Sequence, residues 1–249
     1  MSALSVFALR LAAGMTACLL PLAPAQVNPR FYRVHFLTAL GLAGVAAVFA
    51  RAAGGWPLWT LLLAGMAFAL AGSVSWFLEK APGGRTLIVL TALALAGALA
   101  CLEAADPAAA RAPVRTVLAD LTSAAVLGAA LTAMLMGHSY LIAPSMSLRP
   151  LLILIETLAV AVAARMAVDS LWFWTARRSM GTLDNETILL LLVRWAVGFA
   201  GVLGLTWMAW QTARIRSTQS ATGILYVVVI FCFLGELTSQ LLAGGASLL

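Results

Sequence analysis

Charge is scarce in this chain. Charged residues make up 10% of its 249 positions, against about 25% in an ordinary soluble domain, so it has too little polar surface to face water on all sides. Lysine occurs once, as Lys80, so 14 of the 15 basic residues are arginine. They stand singly or in pairs, with no run of five or more. A net charge of +6 without a basic run excludes a nucleic-acid-binding arm and fits orienting arginines in short loops. Cys18, Cys101 and Cys232 share no motif spacing and read as small buried hydrophobes, not as a disulfide or metal site. There is no P-loop, no Gly-rich dinucleotide fingerprint, no Gly-x-Ser-x-Gly and no carboxylate-rich metal signature. Lys80 sits in a turn, which disfavours a retinal-type Schiff base.

What is present is hydrophobic: 63% of residues and a mean hydropathy of +1.02. The apolar residues gather into runs of about 20, each long enough to cross roughly 30 Å of hydrocarbon as a helix. Eight spans are expected, over about 4–23, 34–53, 56–78, 86–102, 117–143, 150–176, 187–212 and 221–242. No alternating pattern suggests a barrel. Backbone hydrogen bonds must be satisfied internally in lipid, so the reading is an all-α polytopic transmembrane bundle, a single integral membrane domain over 1–249 joined by short loops. The connector 103–115 divides it four plus four, without a convincing internal repeat.

The first run has an alternative. Ala23-Pro24-Ala25 imitates a signal-peptide cleavage site, but no basic region precedes the run and Arg10 lies within it, which favours a retained helix. Turns after odd-numbered spans carry Arg30, Arg33, Lys80, Arg85, Arg149, Arg214 and Arg216. Those after even-numbered spans carry Arg51, Arg111, Arg115, Arg177 and Arg178, offset by acids. The positive-inside rule therefore places the odd side in the cytoplasm and both termini outside. Arginine in place of lysine, with abundant alanine, suggests a bacterial protein of the inner membrane. Trp56, Trp59, Trp76, Trp172, Trp174, Trp207 and Trp210 fall mostly near span ends and read as interfacial anchors.

Two constellations could carry function. An ionisable side chain at membrane depth costs several kcal/mol and faces a partner or a water-filled cavity. Arg165 and Asp169 share one face of span six, with Glu156 opposite. Arg194 on span seven and Glu236 on span eight come to similar depth, so the four form an intramembrane charge cluster with Arg194 paired to Glu236. Gly198 and Gly201 beside Arg194 would let span eight approach closely. The second constellation is the two histidines: His35 opens span two, and His138, one turn after Met134, ends span five on the same side. They could hold haem b or approach a quinone. Arg33, Tyr140, Glu156, Thr218 and Gln219 lie on that side as ligand or headgroup contacts, although Thr218 and Gln219 also read as caps of span eight. Three functions stay open: a membrane subunit of an electron-transfer assembly with redox partner subunits, a proton- or ion-coupled transporter using the charge cluster, and a non-catalytic membrane scaffold.

Overall fold

The computed structural model describes residues 3–50, 55–78, 83–142, 146–176 and 184–245, and among them there is no strand. The helices are α1 Ala3–Ala17, α2 Pro29–Phe49, α3 Trp56–Phe77, α4 Gly84–Ala104, the one-turn α5 Pro107–Ala110, α6 Pro113–Ile142, α7 Arg149–Ala176, α8 Asn185–Leu192, α9 Val202–Arg214 and α10 Thr218–Gly245. A π-helical segment, Val193–Gly201, joins α8 to α9 without a break. Residues 51–54, 79–82, 143–145 and 177–183, and with them Arg51, Lys80, Arg177 and Arg178, lie outside the described residues.

Among the described residues, seven rods are long and apolar enough to cross a bilayer: α2, α3, α4, α6, α7, the continuous α8–α9 rod and α10. The protein is an all-α, multi-pass membrane protein. The eighth helix, α1, departs from the expected span over 4–23. It has 15 residues, a rise of roughly 22 Å, short of the hydrocarbon thickness. Pro21 is the cause: it has no N–H to donate four residues back, and its ring would clash with the Ala17 carbonyl. The chain passes instead through tight turns, with Leu22 N donating to Leu19 O at 3.3 Å.

Proline sets the helix starts as well. Pro29, Pro57, Pro107, Pro113 and Pro150 each occupy one of the first two positions of a helix, where the missing N–H breaks no intrahelical bond. Asn28 caps α2, its side-chain oxygen accepting from Arg30 N at 2.9 Å. Span two therefore begins at Pro29, not near residue 34, and Arg30, Arg33 and His35 are helical. Likewise α10 begins at Thr218, which places Thr218 and Gln219 in its first turn.

Helix α1 lies inside the bundle. All of Ser5 to Thr16 except Phe7 is buried, and α1 packs against α2, α4 and α6. Around it α2, α3 and α4 form one set, and α6, α7, α9 and α10 the other. The α1–α6 crossing is close enough that a Cβ on Gly14 would lie 1.8 Å from Ala124 O, and one on Gly128 would lie 2.1 Å from Gly14 C. A second tight crossing brings Gly198 of the π segment against Gly235 of α10, where a Cβ on Gly235 would lie 2.7 Å from Gly198 Cα. Glycine here is a matter of space: only a residue without Cβ lets two membrane helices touch backbone to backbone.

Candidate functional site

Charged groups from six helical rods meet near one end of the bundle. That end carries the start of α1, the end of α4, the start of α6, the end of α7, the start of α8 and the end of α10. Arg10, Asp120, Arg194 and Glu236 sit seven to nine residues in from their helix ends, a depth of roughly 10–14 Å at 1.5 Å per residue.

Glu236 is the centre. It is 1% exposed, and its Oε1 accepts from Arg194 Nη1 at 2.9 Å and from Arg165 Nε at 3.3 Å. Its Oε2 accepts from the Ser123 hydroxyl of α6 at 2.6 Å. Asp169 closes the ring: Oδ2 accepts from Arg194 Nε and Nη2 at 3.0 and 2.8 Å, and Oδ1 lies 2.8 Å from Arg165 Nη1, one helical turn away. Arg165 Nη2 also donates to the Ser239 hydroxyl at 2.9 Å. The Arg194 guanidinium lies 4.3 Å from the Phe199 ring centroid, within range of a cation–π contact. Two arginines and two carboxylates thus neutralise one another where an isolated charge would cost several kcal/mol.

The structure therefore brings Arg165, Asp169, Arg194 and Glu236 together, with Arg194 on Glu236 and the π segment against α10. Helical phase did not reveal a second pair beside them. Arg10 of α1 donates through Nε and Nη2 to Asp120 Oδ1 at 2.8 and 2.6 Å, and its Nη2 lies 3.5 Å from Glu103 Oε1. Asp120 and Ser123 stand one turn apart on α6, so α6 links the Arg10 pair to Glu236. Asp120 carries the same signal as the others, an acid within an apolar run.

These groups line, or stand behind, a cavity of about 550 Å³. Arg10, Glu103, Asp106, Arg115, Arg165, Asp169 and Arg194 reach its wall, and Trp172, Phe173, Trp195 and Leu191 supply apolar surface. The Gly14–Gly128 crossing lies about one turn further along α1 than Arg10, whereas the Gly198–Gly235 crossing stands beside the charges, an ideal Cβ on Gly235 falling 3.4 Å from Arg194 Nη1. Trp172 thus lines this cavity, one turn from the end of α7. Trp76 is also inside the fold, stacked on Tyr32 with centroids 4.0 Å apart. Trp56 and Trp174 are exposed, at 81% and 60%.

The histidines stand apart in environment. His35 is fully buried; its Nδ1 is 2.8 Å from Phe31 O, its ring is 4.2 Å from that of Phe31, and α2 packs on α1 and α3. His138 is exposed on α6, whose neighbours are α1, α7 and α10, and Met134 is half-buried one turn away. Arg33 lies over the Phe77 ring at 4.6 Å. Glu156 is exposed and accepts from Trp210 Nε1 at 3.3 Å. The Tyr140 hydroxyl donates to Ser147 O. Thr218 O accepts from the Thr222 hydroxyl at 2.7 Å, and Gln219 is exposed. These residues are thus spread over separate local contacts. Among the described residues no cluster of three His, Cys, Asp or Glu has metal-holding geometry.

The bundle and its buried charges define a class, a multi-pass α-helical membrane protein with an ionic cavity. Comparisons with protein-family models, curated proteins and solved structures find no match to the chain, so its site is read from its own geometry.

Proposed function

We propose that this protein is a membrane transport protein in which the cavity is a water-filled vestibule and the Arg165–Asp169–Arg194–Glu236 cluster is its proton- or ion-coupling element. The observation that carries the reading is the position of that cluster: paired charges that line, or stand directly behind, a 550 Å³ cavity, beside the tight Gly198–Gly235 crossing. Buried polar groups in membrane proteins mark pathways. Two carboxylates shared between two arginines form a system in which protonating one acid releases an arginine to another partner. The π segment supports the same reading, because π-helical turns concentrate at functional sites and this one carries both Arg194 and the Gly198 crossing.

Flux into proteoliposomes tests it. With a pH-sensitive dye inside and a potassium diffusion potential imposed, the wild-type protein is expected to pass protons. Asp169→Asn is expected to abolish the flux, and Glu156→Gln to leave it unchanged. Asp169 is the variant of choice because its side chain is 21% exposed, so neutralising it disturbs folding less than neutralising Glu236. A wild-type protein that passes no ion under either polarity of potential would sink the reading.

A haem- or quinone-linked membrane subunit is the second reading. Its support is His35, whose Nε2 is buried with no hydrogen-bond partner among the described residues. An oxidised-minus-reduced spectrum of the purified protein tests it, with band loss expected in His35→Ala if haem is bound.

A further inference from the structure

We infer that the cavity is a binding site for an organic oxyanion, a carboxylate or phosphate group carried on an apolar or aromatic body, with Arg115 as its principal anchor. The inference rests on the vestibule reading above and names the class of ligand that enters it.

Hydrogen-bonding capacity decides the sign. The acids on the wall are already engaged: Glu103 is beside Arg10, Asp169 holds Arg165 and Arg194, and Asp106 has a partner of its own. Behind the wall, Asp120 and Glu236 are taken by Arg10, Arg165 and Arg194. Acids therefore outnumber arginines here, yet no acid on the wall is left over to hold a cation. Spare donors do remain. Arg115 has no carboxylate within ion-pair distance among the described residues; its guanidinium lies 5.7 Å from the centroid of Trp172. The Trp172 Nε1 and Gln240 Nε2 donors are buried without an acceptor among the described residues, and both side chains line the same cavity. A buried donor left unmade costs about 1–3 kcal/mol, and a ligand bearing acceptors removes that cost. The guanidinium presents a planar fork that suits a carboxylate or phosphate in two-point contact. Trp172, Phe173 and Trp195, which line the same cavity, offer the flat apolar surface an organic body needs, and the volume falls within the range of small-molecule sites.

The oxyanion could arrive free from water or as the phosphate of an anionic lipid, and one experiment separates the two. The purified full chain is placed in phosphatidylcholine nanodiscs, with and without phosphatidylglycerol, and its thermal unfolding midpoint is followed against benzoate, inorganic phosphate and, as a cationic counterpart, benzylamine. A free-anion site predicts a saturable rise with benzoate or phosphate in both lipids and none with benzylamine. A headgroup site predicts that phosphatidylglycerol itself raises the midpoint and abolishes the benzoate response. In either case Arg115→Gln is expected to weaken the response about tenfold, the loss of one charge-assisted contact, and Arg115→Lys to restore part of it. Trp172→Phe, which keeps the ring surface and removes only the N–H, gives a second variant with an expected weaker response. A response to benzylamine alone, no response to any probe, or one untouched by both Arg115→Gln and Trp172→Phe would overturn the inference. Because binding is read without flux, anion binding in a protein that passes no ion leaves this site standing and removes the transport reading. Flux without Arg115-dependent anion binding does the reverse.

Discussion

At the scale of single residues, the charge network is a set of mutual obligations. Removing one partner leaves the others buried and uncompensated, at a cost of about 3–5 kcal/mol. Glu236→Gln is therefore expected to destabilise the protein by that order, since Arg165 and Arg194 would then share Asp169 alone. Arg194→Gln should cost a comparable amount, but the double variant should cost less than the two singles together by about 1–3 kcal/mol, because each removes the partner the other strands. Denaturation midpoints in mild detergent across the four proteins measure this coupling, and strictly additive losses would mean that the pair does not bind as drawn. The pairing of Arg194 with Glu236 was legible beforehand because both lie within apolar runs at matching depth. Arg10–Asp120 obeys the same rule, and its signal was an arginine in the first apolar run and an acid in the fifth. The approach of Ser123 to Glu236 was not legible, because a serine in a membrane helix carries no signal until the neighbouring helix is known. The spare donors of Trp172 and Gln240 are hidden for the same reason: an unmet hydrogen bond is a property of the packed state alone.

At the scale of helices, proline and glycine divide the labour. Prolines open helices, and where one falls inside an apolar run, as Pro21 does, it shortens the helix whatever the hydropathy says. Hydropathy alone reads Leu4–Ala23 as a span, whereas the Pro21 ring and the Ala17 carbonyl decide where the helix stops. Hydropathy located the other rods well, because bilayer thickness fixes their length. It could not show that α1 is wrapped by α2, α4 and α6, since a core helix and a lipid-facing helix are equally apolar. Glycine sets which helices meet. A methyl group at Gly14 or Gly128 would strike backbone of the opposing helix, which cannot swing aside as a side chain does. Gly14→Ala and Gly128→Ala are each expected to destabilise by the upper part of the roughly 1–3 kcal/mol cost of overpacking. Gly41→Ala meets nothing within 4 Å and is expected to be neutral or slightly stabilising through helix propensity. Thermal midpoints of the three variants in one detergent rank them, and equal midpoints would mean that α1 and α6 do not cross at these glycines.

At the scale of the whole molecule, the asymmetry between the two ends of the bundle gives the cavity its consequence. The end with the cavity holds Glu103, Asp106, Asp184 and Glu186 together with its arginines; the opposite end carries Arg30, Arg33, Arg85, Arg149, Arg214 and Arg216 at or near its helix ends. Basic turns remain in the cytoplasm, so the vestibule should open away from it, and the Gly14–Gly128 crossing, one turn further along α1 than Arg10, is where it should close. Cysteine accessibility reads both orientation and closure. In a background with Cys18, Cys101 and Cys232 replaced by Ala, a cysteine at Ala112, on the cavity wall, should react with a membrane-impermeant maleimide added to intact cells. A cysteine at Ile215, 77% exposed in the turn before α10, should react only after the cells are opened. A cysteine at Ala129, fully buried on α6 beneath the crossing, should react in neither case. Reversal of the first two results would turn the vestibule toward the cytoplasm and leave the cavity itself intact. Labelling of Ala129→Cys in intact cells would be the more damaging result, because it would carry water past the glycine crossings and replace a closed vestibule with a continuous pore.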